Sequence, residues 1–187
     1  MHNYINGDSA MSVLKVDSIQ NTGGTTALTI DSSGALRKNV IPSFSAYAPG
    51  GGGDVTYSAG ANISADMTAT HHNDGGHYKT SGGDVGKFVA PFDGLYYFTI
   101  SLYRNNSGDK RVYVIIENNT FTNSEGGLNN AQIVNGQGRG NSSGDNYEGS
   151  GIVKLSAGAK AYVSNSYDTT TIFQHKTHSL FQGYLIG

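Results

Sequence analysis

The stretch Leu95–Leu102, LYYFTISL, limits what this chain can fold into more than any other. Tyr96, Phe98 and Ile100 alternate with Leu95, Tyr97 and Thr99, and successive side chains of a strand point to opposite faces. The segment Lys87–Ala90 precedes it as a short apolar run, and Pro91-Phe92-Asp93-Gly94 supplies a tight turn into it. Bulk on both faces predicts a central strand, with a core on one side and a second contact on the other. A partner subunit is one candidate for that second contact.

The rest of the chain is consistent with strands. Glycine numbers 27, tyrosine 12 and phenylalanine 7, a mixture that disfavours helices and suits short strands joined by turns. No segment carries sustained helical periodicity. Ser43–Ala48 alternates Phe44, Ala46 and Ala48. Arg111–Asn118 places Val112, Val114 and Ile116 on one face. Ile152–Leu155 and Ala161–Val163 read as a hairpin about Ser156-Ala157-Gly158, and Phe181, Tyr184 and Ile186 mark the closing strands. Asp54–Thr70 is weakly patterned, His71–Gly86 reads mostly as loop, and Asn119–Ser150 reads as short strands with long loops or a displayed surface. Strands at this spacing predict an all-β sandwich or barrel.

Residues 1–41 stand apart as an N-terminal arm. Leu14, Val16 and Ile19 form one short strand-like run, and Leu28 and Ile30 alternate in a second. So small a piece is marginal in water unless its apolar side chains are covered by copies of itself, by the following domain or by another protein. Residues 42–187 form the body.

The body resembles the globular head of the complement C1q family. Asn73, Tyr78, Phe88, Gly94, Tyr96 and Phe98 fall in that family's order, and PFDGLYYF matches its PxxGxYxF strand. Ser150–Val163 is similar to its late hairpin and FQGYLIG to its closing strand. Met67 stands where the family has phenylalanine, and Ile100 replaces the last aromatic of the central strand. The resemblance implies a ten-stranded jelly roll packed as a homotrimer, with chain ends at the base and loops at the far end. It implies a binding module rather than an enzyme. On this reading Phe44, Phe88, Gly94, Tyr96, Phe98, Ile100, Phe181 and Tyr184 serve core and trimer packing. The arm, LKVDSIQNTGGTTALTIDSSG, resembles a segment of structural and tail-fibre proteins of marine bacteriophages.

Composition excludes several function classes. Charged residues make up 14% and the net charge is −2, so nothing draws the chain to nucleic acid. No apolar run approaches the roughly 20 residues that span a bilayer, and the N-terminus lacks the basic start and apolar region of a secretion signal. Without cysteine there is no thiolate nucleophile and no cysteine metal cage. His71, His72 and His77, and the pair His175 and His178, lack metal-ligand spacing, and solvated loop histidines are the preferred reading. Asp74, Asp84, Asp93, Asp109, Asp145 and Asp168 offer the oxygen ligands that calcium takes, and some family members bind calcium. They show no EF-hand spacing, and aspartate in turns commonly bonds its own backbone. No nucleophile elbow is visible. No cofactor is expected.

The function expected is that of a non-enzymatic virion protein, a trimeric fibre or spike head at the surface of a phage particle. Leu14, Val16, Ile19, Leu28 and Ile30 would anchor it to capsid or tail proteins. Tyr103, Asn106, Asn119, Asn141, Tyr147 and Tyr167 would sit on loops facing a host glycan or protein, with packing as the alternative for the tyrosines. A capsid decoration protein, or head fibre, is the second reading, and a secreted lectin-like module the third.

Overall fold

The computed structural model describes residues 16–24, 26–38, 41–50, 54–104, 110–121, 132–138, 145–165, 171–174 and 179–187. Contacts along the chain divide it into two units, Met1–Val40 and Ile41–Gly187.

The first unit holds one antiparallel sheet of β1 (Ser18–Gln20), β2 (Thr26–Ile30) and β3 (Leu36–Lys38), with β2 in the middle. Asp31 organises the turn from β2 to β3. Its Oδ1 accepts from the backbone N–H groups of Ser33 and Ala35, both at 3.0 Å, and Gly34 turns the chain at φ +81°. A side-chain oxygen and a left-handed glycine are what such a turn requires.

The second unit is a sandwich. One sheet contains β4 (Ser43–Tyr47), β5 (Asp54–Tyr57), β6 (Ala69–Asp74), β8 (Gly94–Arg104), β11 (Asp145–Leu155), β13 (Thr171–Gln174) and β14 (Leu180–Leu185). The other contains β7 (Phe88–Val89), β9 (Lys110–Glu117), β10 (Gln132–Gly138) and β12 (Lys160–Ser164). Among the described residues one 3-10 turn, Ile63–Asp66, interrupts the strands. The first sheet runs β5-β13-β8-β14-β4-β6 with β11 also on β8, and the second runs β10-β9-β12-β7. Neighbours in the sheets are far apart in sequence, as in a jelly roll.

The central strand behaves as its alternation predicts. Tyr96, Phe98, Ile100 and Leu102 are fully buried between the sheets. Phe44 is their partner from β4. Its ring stacks on Tyr78 at 4.7 Å and meets Phe181 edge-on at 4.9 Å. Burying each such ring contributes about 2–3 kcal/mol. From the other sheet come Phe88, Val112, Val114, Ile116, Ala161 and Val163. Tyr113 and Ile115, on the opposite face of β9, are buried as well.

Close approach fixes Gly94 and Gly86, among other glycines. A Cβ on Gly94 would lie 2.6 Å from Leu185 Cδ1, and one on Gly86 would run into the backbone of Ser64 and Ala65. Gly86 also sits at φ +78°, where side chains are disfavoured.

Two sequence readings need correction, and a third, the short strands expected in Asn119–Ser150, is made definite. Ser150–Val163 is not a hairpin, because β11 pairs with β8 while β12 pairs with β9 and β7. Val153 and Leu155 on one sheet, and Ala161 and Val163 on the other, all enter the core, so Ser156–Ala159 turns a corner between sheets. His71–Asp74, read as loop, belongs to β6, which pairs with β4. Within Asn119–Ser150, β11 begins at Asp145 and pairs with β8 along its length.

Candidate functional site

The family-like residues explain each other physically. Asn73 on β6 donates from Nδ2 to Tyr78 O at 2.8 Å and accepts at Oδ1 from Tyr78 N at 3.1 Å. This side chain closes the Asp74–His77 turn as a backbone pair would. Tyr78 then buries its ring, and its hydroxyl lies 3.1 Å from Ser64 O and 3.0 Å from Met67 O. Met67 is itself buried, filling its place in the core as phenylalanine would. Ser64 accepts at Oγ from Val163 N and donates to Asn62 Oδ1, so the 3-10 turn is tied to β12. None of this is reactive chemistry; it holds a rigid scaffold.

The surface that stands out is the open face of the seven-stranded sheet. In register, Ser43, Tyr184, Tyr97 and Ile152 form one row across β4, β14, β8 and β11. The rings of Tyr97 and Tyr184 lie 5.3 Å apart. Ile152 is 59% exposed, Tyr184 47% and Leu95 45%. Ile186, whose N–H donates to Leu95 O, and Ile41, beside Pro42, are exposed at the same end. Phe92, in the turn that enters β8, is exposed too. All the large exposed apolar residues identified in this unit therefore gather where its described first and last residues lie.

The next row is polar. Ser45, Gln182, Thr99 and Ser150 align across the same strands, and Gln182 Nε2 donates to Ser45 Oγ at 3.0 Å. A cleft of about 160 Å³ opens between the two rows, lined by Tyr97, Thr99, Gln182 and Tyr184 and bounded by Ser43 and His72. Ser43 Oγ donates to Asp74 Oδ2 at 2.7 Å at its edge.

The titratable groups with shifted pKa values lie elsewhere, in structural contacts. Lys160 pairs with Asp84 and Lys87 with Glu117, both at 2.7 Å. The hydrogen bond from Lys160 holds the Asp84 carboxyl below its ordinary value. Burial pushes the Tyr57 phenol far up, and its hydrogen bond to Asp66 pushes the same way. Burial lowers His77, with Lys79 adding to the effect. Among the described residues no three His, Asp or Glu side chains gather closely enough to hold a metal ion.

The residues chosen from sequence fall into four groups. Phe44, Phe88, Tyr96, Phe98, Ile100 and Phe181 lie in the core, and Gly94 and Tyr184 at the base of the open face. Of the loop candidates, Tyr147 is corrected: it lies on β11 and is fully buried. Asn119 is corrected too, being only 4% exposed and engaged with β11. Tyr103 is on β8 and half-buried, while Asn106, Asn141 and Tyr167 lie outside the described residues. Of the arm candidates, Val16, Leu28 and Ile30 are half-buried, Ile19 is exposed, and Leu14 lies outside the described residues. Sequence reading missed Ile152 as part of a surface row; its cross-strand partner Tyr97 was the available signal.

The fold matches solved structures at low identity. The globular domain of the zebrafish complement 1qA protein aligns with a TM-score of 0.51 and 15% identity, covering 78% of this chain and 98% of that one. Eiger TNF from S. frugiperda aligns with a TM-score of 0.56 and 12% identity, covering 80% of this chain and 94% of that one. No curated protein sequence matches the chain. The family model for the C1q domain matches residues 56–186, which include the Asn73–Tyr78 clamp and the Phe88–Phe98 aromatic run. With that match across most of its length, the chain belongs to the C1q domain family.

Proposed function

We propose that this chain is a non-enzymatic, homotrimeric binding head carried at the surface of a phage particle. The observation that carries the trimer is the gathering of Phe92, Leu95, Ile152, Tyr184 and Ile186 at one end of one sheet face. A contiguous apolar patch on a soluble surface marks an interaction site. C1q-like domains typically form homotrimers, which supports a second and third copy as its occupants.

In this reading three heads share an axis and their far loops contact a glycan or protein on a host surface. Weak sites on one rigid axis act together, so apparent affinity rises without new contacts. The arm joins the head to capsid or tail proteins. The phage assignment is supported by the resemblance of residues 14–34 to tail-fibre segments.

The burial of Tyr147 and Asn119 removes two residues from the proposed receptor surface. That favours a second reading, a capsid decoration protein or head fibre whose arm holds the shell and whose loops matter little.

Sedimentation of the full chain tests the trimer: a mass of three chains is expected, and a stable monomer overturns it. A density map of the particle separates the two locations, fibre tip against shell.

A further inference from the structure

We infer that the heads join edge to edge, the β6 edge of one copy against the β11 edge of the next, with Asp74 and Lys154 as the ion pair that sets their register. The inference rests on the trimeric reading of the head. Its basis is where the open face of the larger sheet carries charge. The middle strands β4, β14 and β8 present tyrosine, serine, threonine, glutamine and leucine there, and none of the side chains described on them is charged. The described charges stand on the outer strands, Asp74 on β6 and Lys154 and Glu148 on β11. Among the described residues each outer strand pairs on one side only, β6 with β4 and β11 with β8. An uncharged middle with a charged rim is the layout of a protein interface.

The two edges carry opposite signs at the same end. Asp74 is in register with Ser43, in the row of Tyr184, Tyr97 and Ile152, and Lys154 is in register with Leu95, one row nearer the base. Both are exposed. Lys87 and Lys160 have carboxylate partners within the chain, whereas Asp74 and Lys154 have no ion-pair partner among the described residues. Asp74 accepts from the Ser43 hydroxyl, and Lys154 Nζ lies 4.4 Å from the centre of the Phe121 ring. Asp93, also at the base, is occupied at Oδ1 by Ala157 N at 2.7 Å. Farther from the base, His71 and His72 stand on β6 and Glu148 on β11, imidazoles on one edge and a carboxylate on the other.

A closed ring of three identical copies cannot match a patch to itself, so each contact joins two different patches. About an axis along the strands, rotation leaves every row at its height and brings opposite edges of neighbouring copies together. Asp74 then faces Lys154 of the next copy, one row or about 7 Å away along the strands, which a lysine side chain spans. The two histidines face Glu148 in the same way. Complementary charge at the rim fixes register and penalises slipped contacts.

The chain has no cysteine, so introduced ones report this contact alone. Four strand spacings, about 19 Å, separate Asp74 from Lys154 within one head, and a short bis-maleimide at the two positions can link only different copies. Full-length Asp74→Cys, Lys154→Cys and the double variant are treated with that linker at low concentration. Covalent trimers are expected from the double variant and no linked species from either single one. A double variant that sediments as a trimer but does not link overturns the edge pairing and leaves the trimeric reading intact, as does linking in a single variant. Charge reversal is the second arm. Asp74→Lys and Lys154→Glu should each weaken association at least about tenfold, and together should restore it to within about threefold. Single variants that assemble as tightly as the unaltered chain, or a double variant no tighter than the single ones, overturn the ion pair. An unaltered chain that is monomeric throughout overturns both readings.

Discussion

Asn119 clamps Ser156 across the corner of the sandwich. Its Oδ1 accepts from Ser156 N at 2.9 Å and its Nδ2 donates to Lys154 O at 3.0 Å. Ser156 returns the contact, its Oγ accepting from Thr120 N at 3.0 Å. The chain leaves β9 through Asn118 at φ +56°, a conformation that asparagine tolerates better than most residues. Two asparagines in sequence therefore end one strand and hold the start of a turn in the other sheet.

Replacing Asn119 by alanine leaves Ser156 N and Lys154 O without these partners. Leaving buried polar groups unmatched costs about 2 kcal/mol. Chemical denaturation should show that loss with an unchanged m-value, and the trimer mass should not change. A loss within error of zero would mean that water replaces the amide freely.

Gly183 lies on β14 over the aromatic core. A Cβ there would lie 2.5 Å from Phe98 Cδ1 and 2.8 Å from Phe44 Cε1. Gly183→Ala must displace one of two packed rings, and overpacking of this kind costs about 1–3 kcal/mol. A lower melting temperature with retained far-ultraviolet circular dichroism is the expected outcome.

Tyr57 and Tyr78 have pKa values pushed above their ordinary 10.0, chiefly by burial. A raised acid pKa means the folded state resists ionisation. The stabilisation is fully present below the unfolded value of about 10 and is lost as pH rises beyond it. Spectrophotometric titration should show these phenols ionising together with unfolding rather than before it. Tyr78→Phe should weaken the pH dependence on the alkaline limb while lowering stability near neutrality, because Ser64 O and Met67 O lose a donor.

Ile152 and Tyr184 are 59% and 47% exposed on the head. Changing either to glutamate should leave the fold of an isolated head intact, since neither contributes to the core. If the face is where copies meet, placing charges on it should shift sedimentation from trimer toward monomer by roughly tenfold or more in association constant. Glu148→Gln, on the same face beyond the polar row, should have the smaller effect.

Local pattern made most of the body legible. Alternation in Tyr96, Phe98 and Ile100, and in Val112, Val114 and Ile116, identified strands and their buried faces, because period 2 depends only on neighbours in the chain. Asn73, Tyr78 and Gly94 carried the family resemblance because each meets a steric or hydrogen-bonding demand that few other residues satisfy. Which strand pairs with which depended on contacts distant in sequence. Ser150–Val163 looked like a hairpin, yet β11 and β12 part to opposite sheets, and only the shared core explains why. Tyr147 sat in a polar stretch that reads as loop, and pairing with β8 drew it inside. The row of Tyr184, Tyr97 and Ile152 joins three strands far apart in the chain, so no one segment displays it. Sequence determined the strongly alternating strands and the faces they bury; the tertiary structure alone decided β6 and the start of β11, the order of the strands and the surface left for a partner, because these depend on long-range pairing.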